Sequence, residues 1–183
     1  MAASRPSNTF LQRLVGAAAL DAAIYEEVEA DRGATTQAMT VVVLSSLAAG
    51  VGSHVLSGTT VANVTFFTVV ALMAWAAWAL VTFEIGARLL PEPQTQADVG
   101  ELLRTIGFAA TPGILRVFGI LPFATIPIFV ITAFWMLAAT IVAVRQALDY
   151  TSTLRAIAVC VLGWVLALAF AVTLGMVFGP SVS

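Results

Sequence analysis

Charge is what this sequence has least of. Only 10% of its 183 residues are Asp, Glu, Lys or Arg, against about 25% in a typical soluble domain. Lysine is absent, the eight basic residues are all arginines, and the net charge is −2. That balance lends nothing to nucleic-acid binding, which needs a basic footprint. The single cysteine, Cys160, excludes an intrachain disulfide framework and a CxxC metal site. The single histidine, His54, has no second His, Cys or carboxylate at ligand spacing, so it reads as a structural or interfacial residue. No Ser–His–Asp arrangement, phosphate-binding loop or metal motif is present. An enzyme is therefore not expected, nor is a cofactor or a metal.

What the chain has instead is apolar sequence. Hydrophobic residues make up 60% of it and the mean hydropathy is +1.00, a composition suited to lipid as solvent. A helix of about 20 residues spans a bilayer core of roughly 30 Å. Four runs meet that requirement: about 39–57, 61–86, 126–144 and 156–178. Residues 1–37 lack the short apolar core and small-residue cleavage site of a signal peptide, so the first run is expected to stay as an anchor.

Between the second and third of these runs lies a less regular stretch, 101–122, containing FAATPGILRVFGILP; its candidate span is 102–121. Its ten large apolar residues favour insertion by about 3–6 kcal/mol, while a mid-helix Arg costs about 2.5–3.5. Charge placement decides for a span. With five spans and the N-terminus inside, Arg5, Arg13, Arg32, Arg88, Arg104, Arg145 and Arg155 all fall on the cytoplasmic side, and the outer connections at 57–60 and 122–125 carry no charge. Cytoplasmic loops are the Arg-rich ones. The expected fold is all-α: a five-span bundle (39–57, 61–86, 102–121, 126–144, 156–178) with the N-terminus cytoplasmic and the C-terminus outside.

Pro112 should kink the third span near Phe108–Thr111, because it removes a backbone donor and clashes one turn back. Arg116 is the one arginine off the cytoplasmic side. It either snorkels outward or meets a partner such as Ser53, His54 or a carbonyl; a transport role is the less favoured reading. Arg116, Pro112 and His54 form the candidate intramembrane polar site. Glu84 and Arg88, four apart, read as a local ion pair, and Arg145 and Asp149 share that spacing.

Residues 8–31 show helical spacing of Leu11, Leu14, Val15, Ala18, Ala22, Tyr25 and Val28. The expectation is one amphipathic helix along the cytoplasmic face, with Gly33 closing it. Its acidic end, including Glu26, Glu27 and Glu29, reads either as a solvated face or as a dock for basic groups of a partner or of this chain. Ser46 and Gly50 suggest close helix packing in the first span. Ala74, Trp75 and Trp78 in the second span suggest core packing or a protein–protein surface. The chain divides into a 1–37 cytoplasmic segment and a 38–179 membrane domain, with 91–98 as a polar linker.

The stretch LLRTIGFAATPGILRVFGILP, followed by a span and then AVRQALDYTSTLRAIAVCVLGW, resembles the Yip1 domain family as it occurs in bacteria. YEEVEADRGATTQAMTVVVLSSLAAGVG at 25–52 also looks like the start of such members. The resemblance implies a five-helix membrane domain with a cytoplasmic N-terminus, in the inner membrane of a bacterium. The small-GTPase binding of eukaryotic relatives is not implied, because their D-L-Y-G-P-type motif has no counterpart here. The expected role is a scaffold, assembly factor or accessory subunit working by helix contact. Its partners would be membrane lipids and either a membrane protein or further copies of itself. The alternative is a small transporter or lipid-handling protein using the kinked third span.

Overall fold

The computed structural model describes residues 8–53 and 61–178, with side chains at 8–53, 65, 66, 68–166 and 169. Seven α-helices account for most of it: α1 (Phe10–Ala18), α2 (Ala22–Ala30), α3 (Ala34–Gly52), α4 (Val61–Phe83), α5 (Val99–Ala109), α6 (Thr125–Ala147) and α7 (Thr153–Phe178). A π-helical turn, Glu84–Leu89, extends α4, and a 3-10 helix, Thr111–Ile120, follows α5. The described residues contain no strand. Among the described residues, three helices are long and apolar enough to cross a membrane: Ala34–Gly52, Thr68–Leu89 and Thr125–Ala147.

The N-terminal stretch differs from the single amphipathic helix expected over 8–31. It is a helical hairpin. Leu20 adopts φ 62, a conformation that costs a non-glycine residue about 1–2 kcal/mol and ends a right-handed helix. Local capping offsets that cost. Asp21 opens α2 by accepting from Ala23 N–H at 3.0 Å, and Thr9 and Gln12 form a reciprocal capping box on α1. The two helices pack antiparallel, with Gly16 against Ile24 and the buried Tyr25 hydroxyl donating to Ala17 carbonyl at 3.1 Å. Gly33 does not close α2; Asp31 is its C-cap, and Gly33 precedes α3. The hairpin packs against the longer helices. Ala17, Tyr25 and Val28 share one core with Val41, Phe108 and Ala143. A second core joins Ile85, Leu102, Val144, Leu148 and Val159.

The 102–121 stretch breaks where Pro112 predicts. The α-helix ends at Ala109 and a 3-10 helix begins at Thr111, with Pro112 in its first turn, where its missing N–H costs nothing. Thr111 hydroxyl donates to the freed Phe108 carbonyl at 2.6 Å. The element is thus two helices in series.

Glycines set how this broken element packs. A Cβ at Gly107 would meet Ala38, one at Gly113 would meet Ser45 Oγ, and one at Gly52 would lie 1.8 Å from Arg116 carbonyl oxygen. Residue numbers rise together on the two sides, so α3 and the 99–120 element run parallel at backbone contact. Helix α6 runs the other way, with Met136 beside Gly113 and Phe129 beside Gly52 and Gly119. The contact stripe on α3 is therefore Ala38, Ser45, Ala48 and Gly52, all buried, while Ser46 and Gly50 are only half-buried. Ser46 faces α4 instead, across a cleft that Ala71, Ala74 and Trp75 also line.

Glu84 and Arg88 pair at 2.9 Å on the exposed face of the π turn. Widening the helix there lets Leu148 pack over Gly86 and brings Gly86 and Leu90 carbonyls to the Tyr150 hydroxyl, each at 2.9 Å. Arg145 does not pair with Asp149. Asp149 leaves the helix with φ 52, and Arg145 donates to Tyr150 carbonyl instead.

Candidate functional site

Arg116 sits on the 3-10 helix, half-buried among apolar residues. Its Nε donates to Thr132 hydroxyl on α6 at 3.1 Å, and its guanidinium lies 5.2 Å from the centre of the Phe129 ring. Thr132 is thus the partner in place of the Ser53 or carbonyl considered from sequence; His54 lies outside the described residues. No carboxylate pairs with Arg116 among the described residues.

The rest of the guanidinium faces space. A cleft of about 410 Å³ runs from Arg116 between α3, α4, α5 and α6, walled by Val42, Ala71, Ala74, Trp75, Trp78 and Ile106, with Ser45, Ser46 and Thr140 as its hydroxyl groups. A second cleft of about 440 Å³ reaches Arg116 from the α7 side, past Trp78, Met136, Leu137 and Trp164. Pro112 is buried and lines neither cleft; its place is the first turn of the 3-10 helix that carries Arg116.

The tryptophans of α4 are engaged within the chain. Trp75 Nε1 donates to Leu103 carbonyl at 3.0 Å. Trp78 meets Trp164 edge to face, with ring centres 6.0 Å apart, and lies over Gly163. The outward face of α4 is carried by Phe66, Val69, Met73 and Leu80, a plain apolar stripe.

The opposite, Arg-rich end holds an ionic cluster. Arg13, only 2% exposed, reaches Glu27 at 2.9 Å and Asp31 at 2.8 Å and donates to Gln37 at 3.0 Å. Asn8 also donates to Glu27 through its backbone and its side chain. Arg104 donates to Val28 and Glu29 carbonyls at 3.2 and 3.0 Å, placing a cation on the C-terminal end of α2, where the helix dipole favours it. The acidic residues proposed as a dock thus have separate fates. Glu27 is taken by Arg13, and Glu26 accepts from Gln146 at 2.9 Å. Glu29 has no side-chain hydrogen bond among the described residues. It faces a cleft of about 870 Å³ lined also by Glu26, Gln94, Arg145 and Asp149.

Sequence reasoning missed three residues here. Arg13 was counted only as a topology marker. Glu92 lies in the polar 91–98 linker, yet it is buried and accepts from Thr151 N–H and hydroxyl at 3.0 and 2.8 Å, with Arg155 at 3.5 Å; these bonds hold its carboxyl below the usual range. Tyr150 gave no signal at all. A buried partner many residues away leaves no local pattern.

Burial, and then the charges of Glu101, Asp149 and Glu26, push the Glu29 carboxyl up to about 7 against the opposing pull of Arg104. A raised carboxyl favours the docked hairpin when protonated. That contribution is complete below the ordinary value of 4.5 and is lost as pH rises through about 7. Glu27 behaves oppositely. Burial would raise it, but hydrogen bonds from Asn8 and Arg13 outweigh burial, and Arg13 likewise lowers Asp31; their contributions are lost as pH falls below the ordinary values of 4.5 for Glu27 and 3.8 for Asp31. The melting temperature in detergent is expected to decline from pH 5 to pH 8, and Glu29→Gln is expected to flatten that limb while leaving the acid limb. Equal slopes in the two proteins would assign the pH dependence to other groups.

No protein-family model, curated protein or solved structure matches this chain.

Proposed function

We propose that this chain is a non-enzymatic, multi-pass membrane protein that binds an anionic amphiphile, a membrane lipid, in the Arg116 cleft. The observation that carries this reading is a guanidinium with, among the described residues, one hydroxyl partner and no carboxylate, opening onto a long, mostly apolar cleft. A cation is costly inside a bilayer unless it is paired. A phosphate-bearing headgroup would supply the missing charge, and the walls from Ser45 down to Ile106 suit an acyl chain.

Five crossings, with the N-terminus cytoplasmic and the C-terminus outside, make up the topology of this proposal. The broken element supports it. Eleven α-helical residues and ten 3-10 residues give about 16 Å and about 20 Å at 1.5 and 2.0 Å per residue, together enough for a bilayer core. Parallel packing of this element on α3, with α6 antiparallel to both, is what a third crossing requires. Arg116 then lies about 10 Å below the outer end at Leu121, within reach of an outer-leaflet headgroup, and the tail would descend toward Ile106. This is the five-helix architecture that the Yip1 resemblance implies. The lipid-handling reading gains over the scaffold reading because Trp75 and Trp78 bond within the chain and leave α4 without a distinctive outward surface.

The test is lipid retention. Protein reconstituted in equal phosphatidylglycerol and phosphatidylcholine, then repurified, should retain phosphatidylglycerol preferentially. Arg116→Leu should keep its helicity and melting behaviour but lose that preference by about tenfold, equivalent to about 1.4 kcal/mol. Equal retention by both proteins would remove Arg116 as the headgroup site.

A further inference from the structure

The α1–α2 hairpin does not sit at the level of the ionic cluster alone. Its turn reaches far along α6. Trp135 Nε1 donates to Ala18 carbonyl at 2.7 Å, and Trp135 lies about twelve residues in from Ala147, a distance of about 18 Å along α6. At the other end of the hairpin, Gln146 bonds Glu26 and Arg104 bonds the last turn of α2. Two independent contacts thus fix its long axis roughly along α6, with the Ala18–Asp21 turn near the helix's mid-height. Phe10 stacks edge to face on the buried Phe108 at 6.3 Å, which ties the open end of α1 to α5.

We infer that α1 and α2 form a re-entrant hairpin, inserted from the cytoplasmic side into the inner leaflet, whose outward stripe of Leu11 and Val15 contacts acyl chains. The inference rests on the membrane-spanning reading above. Three features fit lipid as the occupant. Leu11 and Val15, one helical turn apart, are 68% and 63% exposed, although they lie beside the most apolar part of the bundle. That stripe is continuous in depth with the outward side chains of α6, where Phe134 is 69% exposed. Several of the turn's backbone groups are also bonded within the chain, by the bonds usual at a helix C-terminus, which suits a place away from water. Ala19, Leu20 and Asp21 N–H groups donate to Val15, Ala17 and Gly16 carbonyls at 2.9–3.1 Å, and Ala18 carbonyl is taken by Trp135. Asp21 accepts from Ala23 N–H, so the one charge at the turn is held against the positive end of α2.

Depth measurement on the full chain tests this. In a Cys160→Ala background, spin labels are placed singly at Leu11→Cys, Val15→Cys, Phe134→Cys and Gln96→Cys, and the protein is reconstituted in phosphatidylcholine–phosphatidylglycerol vesicles. Oxygen partitions into lipid and a nickel chelate stays in water. Val15 should resemble Phe134, with oxygen access dominating, and should lie about 6 Å deeper than Leu11; Gln96 should favour nickel. Nickel access at Val15 with oxygen access at Phe134 would overturn the re-entrant hairpin and leave the spans intact. Nickel access at both would sink the membrane reading itself. Protection of Val15 from both reagents would place a second copy of the chain on the stripe, and would overturn lipid as its occupant.

Discussion

Gly52→Ala is expected to cost this protein its folded state, which is a large effect for one methyl group. The new Cβ would lie 1.8 Å from Arg116 carbonyl oxygen and 2.9 Å from its carbonyl carbon. Both are backbone atoms, so no rotamer change relieves the clash. α3 and the 3-10 helix would have to part by more than an ångström at the point where Phe129 also closes on Gly52. Overpacking against side chains costs about 1–3 kcal/mol, and more when backbone must move. Gly119→Ala, whose Cβ would meet Gly52 carbonyl oxygen at 3.0 Å, should be milder. The two are compared by thermal melting and size-exclusion behaviour in mild detergent. Parental melting of Gly52→Ala would show that the parallel contact between α3 and the 3-10 helix is loose in solution.

Arg13→Met should be the most damaging change at the other end. Removing one partner of a buried ion pair costs about 3–5 kcal/mol when the remaining charge stays buried. Here the Glu27 and Asp31 side chains keep 26% and 40% exposure. Water can reach them, so about 2–3 kcal/mol is expected. The loss should appear as release of the hairpin ahead of the rest of the bundle: faster proteolysis between α2 and α3, with the main thermal transition lowered less. Adding Glu27→Gln and Asp31→Asn to Arg13→Met should recover part of the loss, since no unpaired charge then remains. A triple variant no better than Arg13→Met would mean that Arg13 acts through the packing of its stem.

These two sites show how unevenly the fold is written along the chain. The apolar runs of α3, α4 and α6 are legible because hydropathy depends on composition alone. The break at Pro112 is legible because proline lacks an N–H wherever it stands, and the Glu84–Arg88 pair because four residues make a helical turn. Which face of α3 meets the 3-10 helix is not legible. In a helix that is apolar on all sides, the side facing protein and the side facing lipid carry the same kinds of residue, and periodicity cannot separate them. Only backbone contact at Gly52, Gly107 and Gly113 does so.

The N-terminal hairpin failed to show for a different reason. The helical spacing from Leu11 to Val28 continues across the turn, and a leucine at positive φ carries no compositional mark. What reverses the chain at Leu20 is the set of partners awaiting it: Trp135 for Ala18, and Glu27 and Asp31 for Arg13. Composition and charge placement determined by themselves that this chain is helical, apolar and marked by arginine at one end. Tertiary structure decided that the N-terminal helices fold back into the bundle, that Glu92 and Tyr150 lock the Arg-rich end, and that Arg116 opens on a cleft with a hydroxyl for company. The physical reason is common to all three: a buried polar group must find its partner in space, and the partner's place in the sequence is free.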